Sequence, residues 1–295
     1  MKKQFIPLLI LLLILIVILY NISYKIPKIA YSYWDKNTPP IIERIIEERR
    51  QTMPDWKIIL LTDETLGNYI NLSSVPVNYE KLKPQHRADW IRLKLLEKYG
   101  GLWLDSSIII NDGAAINEIY HEACKSCVEV AAFSMNKPVP AEYIENWFIM
   151  APVKSNLIKK WLAEYEKAIS MGFMEYRDQV EKMKIPISND IYAKEHKSVY
   201  LTQHACLQVV LSNQKAKVLL YPAERNMFKV QETCKWKYKC IIDTISNDPQ
   251  VNELPFIKLR GGETIGPTSK TAHQTSVTRE KTIDYEKYFA RNRVL

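Results

Sequence analysis

Apolar residues recur along the chain at the two spacings that distinguish helices from strands. Behind Pro39-Pro40, isoleucines at helical spacing predict a helix that runs to Arg50, and the apolar run 56–61 predicts a buried strand. Strand, helix, strand, helix, strand within roughly the first hundred residues is the rhythm of βαβ units. Because such units place their strands side by side in one direction, we expect an α/β fold with a mostly parallel sheet.

A second set of apolar positions predicts a helix, a turn and a strand that deliver an acidic residue. From Asp89 onward the apolar residues are spaced so that they lie on one face of a helix. Gly100-Gly101 follow, and glycine is common at the end of a helix because it can take a positive φ. The run 102–104 then predicts a buried strand, and Asp105 comes directly after it. Ligands of open α/β sheets bind at the carboxyl ends of the strands, so Asp105 is predicted to lie in a binding site.

The beginning of the chain carries a membrane signal. An uncharged, apolar run at 5–22 follows two lysines, and as a helix it would span about 27 Å, close to the thickness of a thin bilayer core. A cleaved signal peptide is the alternative, but no small-x-small cleavage site follows the run. We therefore predict a short basic tail at 1–4, a transmembrane anchor at 5–22 and a domain at 23–262.

Later in the chain the same patterns predict further elements and a polar end. Strands are expected at Val128–Phe133 and Trp147–Ala151, and helices at Ser155–Met171 and 200–211. The segment 263–295 is rich in polar and basic residues, so it is predicted to be an exposed tail. Aromatic residues near its end can dock on the domain.

Composition adds few constraints. Hydrophobic residues make up 47% of the chain, which suffices for a packed core and disfavours disorder. The net charge of +8 is spread along the chain, and no nucleic-acid partner is expected. Among the cysteines, Cys234 and Cys240 can close a small disulfide loop in an oxidising compartment and would be thiols in a reducing one.

The segment from Ala88 to Asp105 resembles a glycosyltransferase signature. The shared pattern is Ala-Asp, two residues, Arg, an amphipathic helix, Tyr-Gly-Gly, a hydrophobic strand and Asp, with sixteen positions from Asp89 to Asp105. It is similar to the DXD region of the capsular polysaccharide synthesis family and of glycosyltransferase family 32. The segment 26–34 is similar to the first strand of these enzymes. The resemblance implies a GT-A-like nucleotide-diphospho-sugar transferase fold over residues 23–262, with a Rossmann-like mixed, mostly parallel sheet flanked by helices.

The resemblance also implies roles for the central residues. Asp105 is the expected contact for a divalent cation, Mn²⁺ or Mg²⁺, with Ser107 completing the metal site and contacting the donor. One carboxylate can suffice when the diphosphate of the donor and waters fill the rest of the shell. Asp89 and Arg92 lie three residues apart on one helix face, and they are expected to bind the donor sugar. Asp105, Asp89 and Arg92 are thus the predicted catalytic residues.

These candidates also have structural explanations. Asp89 and Arg92 alone would be an exposed ion pair worth a few tenths of a kcal/mol, which is common on helices. Trp34 or Tyr33 is expected to stack on the nucleotide base, and a core aromatic at a strand end explains either residue equally well. Ser107 stands where many family 32 members carry a second Asp, whereas a hydroxyl residue is common there in the capsule-synthesis branch.

For two further polar residues, we expect a structural role. Asp63 follows the predicted strand 56–61 and is expected to cap the next short helix, although a ligand carboxylate can also stand there. His204, beside an apolar helix, is expected to be a hydrogen-bonded structural residue and not a catalyst.

Together these features predict a membrane-anchored transferase that moves a sugar from a nucleotide-diphosphate donor to a glycan, polysaccharide or glycolipid acceptor, with retention of configuration as in related families. The alternative is a non-catalytic, membrane-anchored sugar-binding relative, for which Ser107 is the best argument. A haloacid-dehalogenase phosphatase is disfavoured because the acid expected two residues after Asp105 is absent. In a eukaryote the domain is expected in the Golgi lumen on a type II anchor, and in a bacterium on the cytoplasmic face of the inner membrane.

Overall fold

A six-stranded mixed sheet forms the centre of the protein. The computed structural model describes residues 25–35, 37–135, 143–185, 187, 199–265 and 282–292. The strands of the sheet are β1 (Ile29–Tyr33), β2 (Lys57–Leu61), β3 (Gly101–Leu104), β5 (Val130–Ser134), β6 (Ile144–Ala151) and β7 (Val218–Pro222). A separate two-stranded sheet joins β4 (Ile108–Ile110) to β8 (Phe256–Lys258).

The strand order places a crevice at the carboxyl end of β1. The order is β2-β1-β3-β6-β5-β7, and β6 alone runs against the other five strands. From β1 the chain moves to β2 on one side and then to β3 on the other, which is the kind of switch point where open α/β sheets bind ligands. The predicted α/β fold with a mixed, mostly parallel sheet is confirmed.

Helices cover both faces of the sheet. The longer ones are α1 (Pro40–Thr52), α2 (Pro84–Tyr99), α3 (Gly113–Ser126), α4 (Asn156–Met171), α5 (Phe173–Lys182), α6 (Thr202–Asn213) and α8 (Tyr238–Asn247). Shorter ones are α7 (Lys229–Thr233), α9 (Gly261–Ile265) and α10 (Tyr285–Asn292), and single 3₁₀ turns span Leu66–Asn68, Leu72–Ser74, Tyr79–Lys81, Ala223–Arg225 and Pro249–Glu253. The helices and strands predicted from apolar spacing are present, with ends shifted by a few residues.

Successive side chains of the central strands belong alternately to two layers of the core. Trp103 of β3 packs into a layer with α2 and α4, whereas its neighbours Leu102 and Leu104 face the layer that contains α3. Successive side chains of a strand point to opposite faces, so a fully apolar strand fits only between two packed layers. The position of β3 in the middle of the sheet therefore explains why its sequence is apolar throughout.

Gly100 and Gly101 connect α2 to β3 in a backbone conformation that other residues rarely adopt. Their φ angles are +63° and +100°, as the sequence predicted for the end of this helix. A Cβ on Gly101 would lie 2.5 Å from the carbonyl oxygen of Ile29, and one on Gly100 would lie 2.6 Å from the backbone nitrogen of Val153. The pair thus lets β3 approach β1 closely and fixes where Asp105 emerges.

Replacing Gly101 by alanine is expected to lower the free energy of unfolding by about 2–4 kcal/mol, because strain at positive φ adds to a clash with rigid backbone. Urea denaturation of the variant measures this loss. The control is Gly67→Ala, since Gly67 has no positive φ and its nearest new contact would be 3.6 Å away on a leucine methyl group. Equal losses in the two variants would contradict the argument.

The chain packs on the domain beyond residue 262, where the sequence predicts that the polar tail begins. Glu263 and Thr264 are buried, and Ile283, Tyr288 and Phe289 belong to a third core layer with α1 and α8. Docking of the aromatic residues near the end of the chain is thus observed. The intervening residues 266–281 lie outside the described ranges.

The predicted transmembrane anchor, 5–22, also lies outside the described residues. Within the described ranges, none of the helices has both the length and the apolar character needed to cross a bilayer.

Candidate functional site

A cavity of about 590 Å³ opens at the carboxyl ends of β1 and β3. Because β6 runs antiparallel to β3, with Leu104 opposite Phe148, the first residues of β6 lie beside the end of β3. The cavity is lined by side chains from both strand ends, from α2, from the start of α6 and from the segment after β8. All six residues predicted for the site line it, namely Tyr33, Trp34, Asp89, Arg92, Asp105 and Ser107.

Arg92 joins the two predicted acidic residues in one wall of the cavity. Its Nη1 donates to Asp89 Oδ1 at 2.6 Å and to Gln203 Oε1 at 2.8 Å, and its Nη2 donates to Asp105 Oδ1 at 3.1 Å. The guanidinium also lies over the ring of Trp103, 5.1 Å from its centre. Asp89 and Arg92 are only 6% and 4% exposed, so they are not the surface ion pair that helical spacing alone would suggest.

The two oxygens of Asp89 differ in how strongly they are held. Oδ1 accepts from Arg92 and, at 3.1 Å, from the Asn146 amide. Among the described residues, Oδ2 has only long contacts, with the Tyr165 hydroxyl at 3.4 Å and with His86 Nδ1 at 3.5 Å. Oδ2 is therefore the oxygen that a ligand hydroxyl can engage without displacing a short hydrogen bond.

Asp105 is held in its ionised form by neighbouring donors. Its Oδ1 accepts from Trp103 Nε1 at 3.0 Å, and its Oδ2 lies 3.2 Å from Lys258 Nζ. Burial by itself would raise the pKa of Asp105, but the charges of Lys258 and Arg92 and the hydrogen bond from Trp103 hold the pKa below its ordinary value. Asp105 is therefore a carboxylate with cationic neighbours on both sides.

Ser107 contacts the last residue of β8 and the residue that follows it. Its hydroxyl donates to the carbonyl of Leu259 at 2.9 Å and accepts from Lys258 Nζ at 2.9 Å. Lys258 Nζ is within 3.2 Å of Asp105 as well, so an ammonium occupies the space between the two predicted metal ligands.

A divalent cation does not fit this donor set. Mg²⁺ and Mn²⁺ take about six oxygen ligands, usually with carboxylates among them. Within the described ranges no three His, Cys, Asp or Glu side chains are grouped so that they could hold a metal ion. Asp105 and Ser107 are the predicted ligands, and the Lys258 ammonium between them would repel a second cation.

The aromatic residues at the end of β1 take different positions. The Tyr33 hydroxyl donates to Asp63, and Tyr33 is buried, while Trp34 is half-buried and packs against the third core layer. The carboxylate of Asp63 also lies 3.7 Å from Arg87. The N-cap position of the 3₁₀ turn Leu66–Asn68 is Thr65, and no side chain of the described residues caps the turn, so the prediction that Asp63 caps a helix was wrong.

Sequence reasoning gave no role in the site to several polar residues in or beside the cavity. Asn146 and Gln203 hydrogen bond to each other at 2.7 Å, and Gln203 also donates to the backbone carbonyl of Asp89. Buried His204 lies 3.6 Å from Glu145, and within the described part of the chain neither of its ring nitrogens has a hydrogen-bond partner, contrary to the expectation for this residue. These residues come from β6 and α6, whose contact with α2 is not visible in local sequence patterns.

Comparison with known proteins gives one family match and several relatives. Residues 22–248 match the model of a family described as capsular polysaccharide synthesis protein. The O-glycosyltransferase braB of Annulohypoxylon truncatum is 29% identical over 158 residues, which are 48% of this chain and 37% of that protein. Inositol phosphoceramide mannosyltransferase 3 of Schizosaccharomyces pombe is 32% identical over 103 residues, 31% of this chain and 27% of that protein.

The chain thus spans 37% and 27% of the lengths of these two curated relatives. Among solved structures, the PaToxG glycosyltransferase is similar over 95% of this chain and 92% of its own, with 14% sequence identity and a TM-score of 0.40.

Proposed function

The chain belongs to the capsular polysaccharide synthesis protein family, and on that premise we propose that it is a glycosyltransferase. It moves a sugar from a nucleoside-diphosphate donor to a hydroxyl group of a glycan, polysaccharide or glycolipid. The observation that carries the proposal is the continuous pairing of Asp89, Arg92 and Asp105 along one wall of the cavity. These are the residues through which the sequence resembles sugar-nucleotide transferases of GT-A type.

The donor sugar lies against Asp89 and Arg92 in this proposal. Asp89 Oδ2, whose contacts with described residues are long, accepts hydrogen bonds from ring hydroxyls. Arg92 is fixed by three side-chain acceptors, so its planar guanidinium keeps Asp89 and Asp105 at a set separation. Trp34, half-buried at the end of β1, stacks on the nucleotide base.

Transfer breaks the bond between the anomeric carbon and a phosphate oxygen, and the electron pair of that bond goes to the leaving diphosphate. The acceptor oxygen forms the new bond to the anomeric carbon, and its proton passes to the leaving phosphate oxygen. Asp89 and Asp105 are both paired with cations, which supports a mechanism without a carboxylate base and with retained configuration. Glu145, in the same cavity, is the carboxylate that an inverting reaction would use as base.

The acceptor and the membrane belong to the proposal as well. The name of the fission-yeast relative describes transfer of mannose to a phosphoceramide lipid. By analogy with that name, we include a lipid-linked acceptor, which an anchor at residues 5–22 would bring near the domain. A Golgi lumenal location in a eukaryote, or the cytoplasmic face of the inner membrane in a bacterium, stays a prediction.

The first test combines binding with transfer. Full-length protein is heated with UDP, GDP, UDP-glucose, UDP-galactose or GDP-mannose, with and without Mn²⁺, and a donor is expected to raise the melting temperature because it binds only the folded state. Hexose 1-phosphates without the nucleoside are the matched controls. The donor that gives the largest shift is then incubated with inositol phosphoceramide and with short oligosaccharides, and NMR of the product reports the anomeric configuration.

The outcomes separate the alternatives. Transfer with retained configuration supports the proposal in full, and transfer with inversion would move the role of base to Glu145. Binding without transfer or hydrolysis would favour the non-catalytic sugar-binding relative. A folded protein that binds none of the nucleotides would contradict a sugar-nucleotide function altogether.

A further inference from the structure

The ammonium group of Lys258 lies in a cradle of three oxygen atoms of the kind that hard cations prefer. Nζ is 3.2 Å from Asp105 Oδ2, 2.9 Å from Ser107 Oγ and 2.9 Å from the carbonyl oxygen of Leu259. Lys258 is 8% exposed and lines the cavity. A carboxylate, a hydroxyl and a backbone carbonyl thus surround a cation that belongs to the chain itself.

The fold fixes this lysine next to Asp105. In the two-stranded sheet Lys258 is paired with Ile108, and the amide of Leu259 donates to the carbonyl of Ser107 at 3.2 Å. The backbone of Lys258 is also held from the other side, because its amide donates to Met227 and its carbonyl accepts from Gln231. Strand pairing therefore fixes the backbone of Lys258 beside Asp105, and its side chain is buried and does not move freely at the surface.

A second cation follows on the same segment. Arg260 lines the cavity, and its side chain is 46% exposed. It is tied to Glu263, which is 1% exposed, through a hydrogen bond of 2.6 Å from Nε, and its guanidinium lies over the ring of Trp236. One edge of the guanidinium is thus anchored while the group as a whole reaches solvent in the cavity.

We propose that Lys258, assisted by Arg260, supplies the positive charge that the leaving diphosphate requires, so that nucleotide binding and sugar transfer proceed without a divalent cation. This inference rests on the proposed sugar-nucleotide function. It accounts for Ser107 in place of a second acid, because a site that already holds an ammonium needs fewer carboxylates than a metal site. The substrate class is a nucleoside diphosphate with its β-phosphate next to β8.

The electrostatic argument follows the electron pair of the broken bond. As the bond from the anomeric carbon to the β-phosphate oxygen breaks, negative charge grows on that oxygen, and a preorganised N–H donor nearby stabilises it. All three protons of the Lys258 ammonium have acceptors in the free protein, and the contact to Asp105 is the longest. A phosphate oxygen replaces that contact, while Asp105 keeps its hydrogen bonds from Arg92 and Trp103.

Isothermal titration of the full-length protein with UDP and with GDP, in excess EDTA and separately with Mn²⁺, tests the inference. For the nucleotide that binds, we expect affinities that agree within about twofold in the two conditions. Lys258→Met is expected to weaken binding in EDTA by about tenfold or more, since a charge-assisted hydrogen bond is lost, and Lys258→Arg is expected to retain part of the affinity. The control is Lys57→Met, an exposed lysine at the amino end of β2.

Each result bears on the inference. Binding by the wild type that requires Mn²⁺ would overturn it and leave the glycosyltransferase proposal standing. Binding in EDTA that Lys258→Met and Lys258→Arg both leave unchanged would overturn it as well. Absence of binding in both conditions would overturn it together with the proposed function. The wild-type titration in EDTA decides the matter even if the methionine variant does not fold.

Discussion

Replacing Arg49 by methionine is expected to lower the free energy of unfolding by about 3–5 kcal/mol, because each buried carbonyl left without a donor costs about 1–3 kcal/mol. Arg49 is 1% exposed, and its guanidinium donates to Ser32 Oγ at 2.7 Å and to the carbonyls of Asp105, Ser106 and Ile108 at 2.6, 3.0 and 3.0 Å. These contacts hold the turn that presents Asp105 to the cavity. Burial lowers the pKa of Arg49 to about 9, with the Asp105 charge opposing this, so Arg49 stays protonated at neutral pH.

Guanidinium chloride denaturation of Arg49→Met measures the loss, and Arg50→Met is the matched control. Arg50 is the next residue of α1, is about half exposed and pairs with Glu47 on the surface. Its removal is expected to change stability by less than about 0.5 kcal/mol. Arg49→Lys should recover little of the loss, because one ammonium cannot reach all the carbonyls that the planar fork serves. Similar effects of the two methionine variants would rule out the role assigned to Arg49.

The central motif could be predicted from sequence because it is local. Helical spacing brings Asp89 and Arg92 to one face, glycines end the helix, and a short apolar strand delivers Asp105, all within one helix-turn-strand unit. Burial of the pair could not be predicted from the same pattern. It depends on Gln203 and Asn146, which come from distant elements that pack over α2.

The position of Lys258 could not be predicted from local sequence patterns. It meets Ser107 across 151 positions of sequence, through a pairing of two strands that are three residues long each. Strands this short have no clear period, and nothing in the sequence around Lys258 indicates that its charge is buried. The pattern that predicts a metal at Asp105 and Ser107 carries no information about the ammonium of Lys258, which lies between them.

Arg49 did leave a signal in the sequence. The buried stripe of α1 is formed by Ile42, Ile45 and Ile46, and Arg49 continues it at the next helical position. A charged residue on an apolar stripe needs buried partners, because an unpaired charge in the core is too costly. The stripe is thus a signal from which a buried polar contact of this helix can be predicted, although not that its acceptors are the carbonyls around Asp105.

Asp105→Asn is expected to reduce sugar transfer by about 100-fold or more, because the variant loses a fixed charge of the cavity while keeping the shape of the side chain. The role of metal ligand that the sequence predicts for Asp105 and its proposed role as partner of Lys258 have different consequences for nucleotide binding. A metal ligand would be needed for Mn²⁺-dependent binding, which Asn would weaken. If Lys258 supplies the charge, removing its carboxylate partner leaves the ammonium free for phosphate, so the affinity for UDP or GDP in EDTA stays the same or rises.

Initial rates of transfer and titrations with the same nucleotides distinguish these roles, and Asp55→Asn is the control. Asp55 is an exposed aspartate, 3.6 Å from Lys28 at the surface, and its loss should change neither quantity. Circular dichroism in the near ultraviolet checks that Asp105→Asn keeps its tertiary packing. A folded Asp105→Asn protein with full transfer activity would show that the wall formed by Asp89, Arg92 and Asp105 is not the reacting site. A drop in transfer together with unchanged or tighter nucleotide binding in EDTA would place the contribution of Asp105 in the sugar-transfer step, with Lys258 as the group that holds the diphosphate.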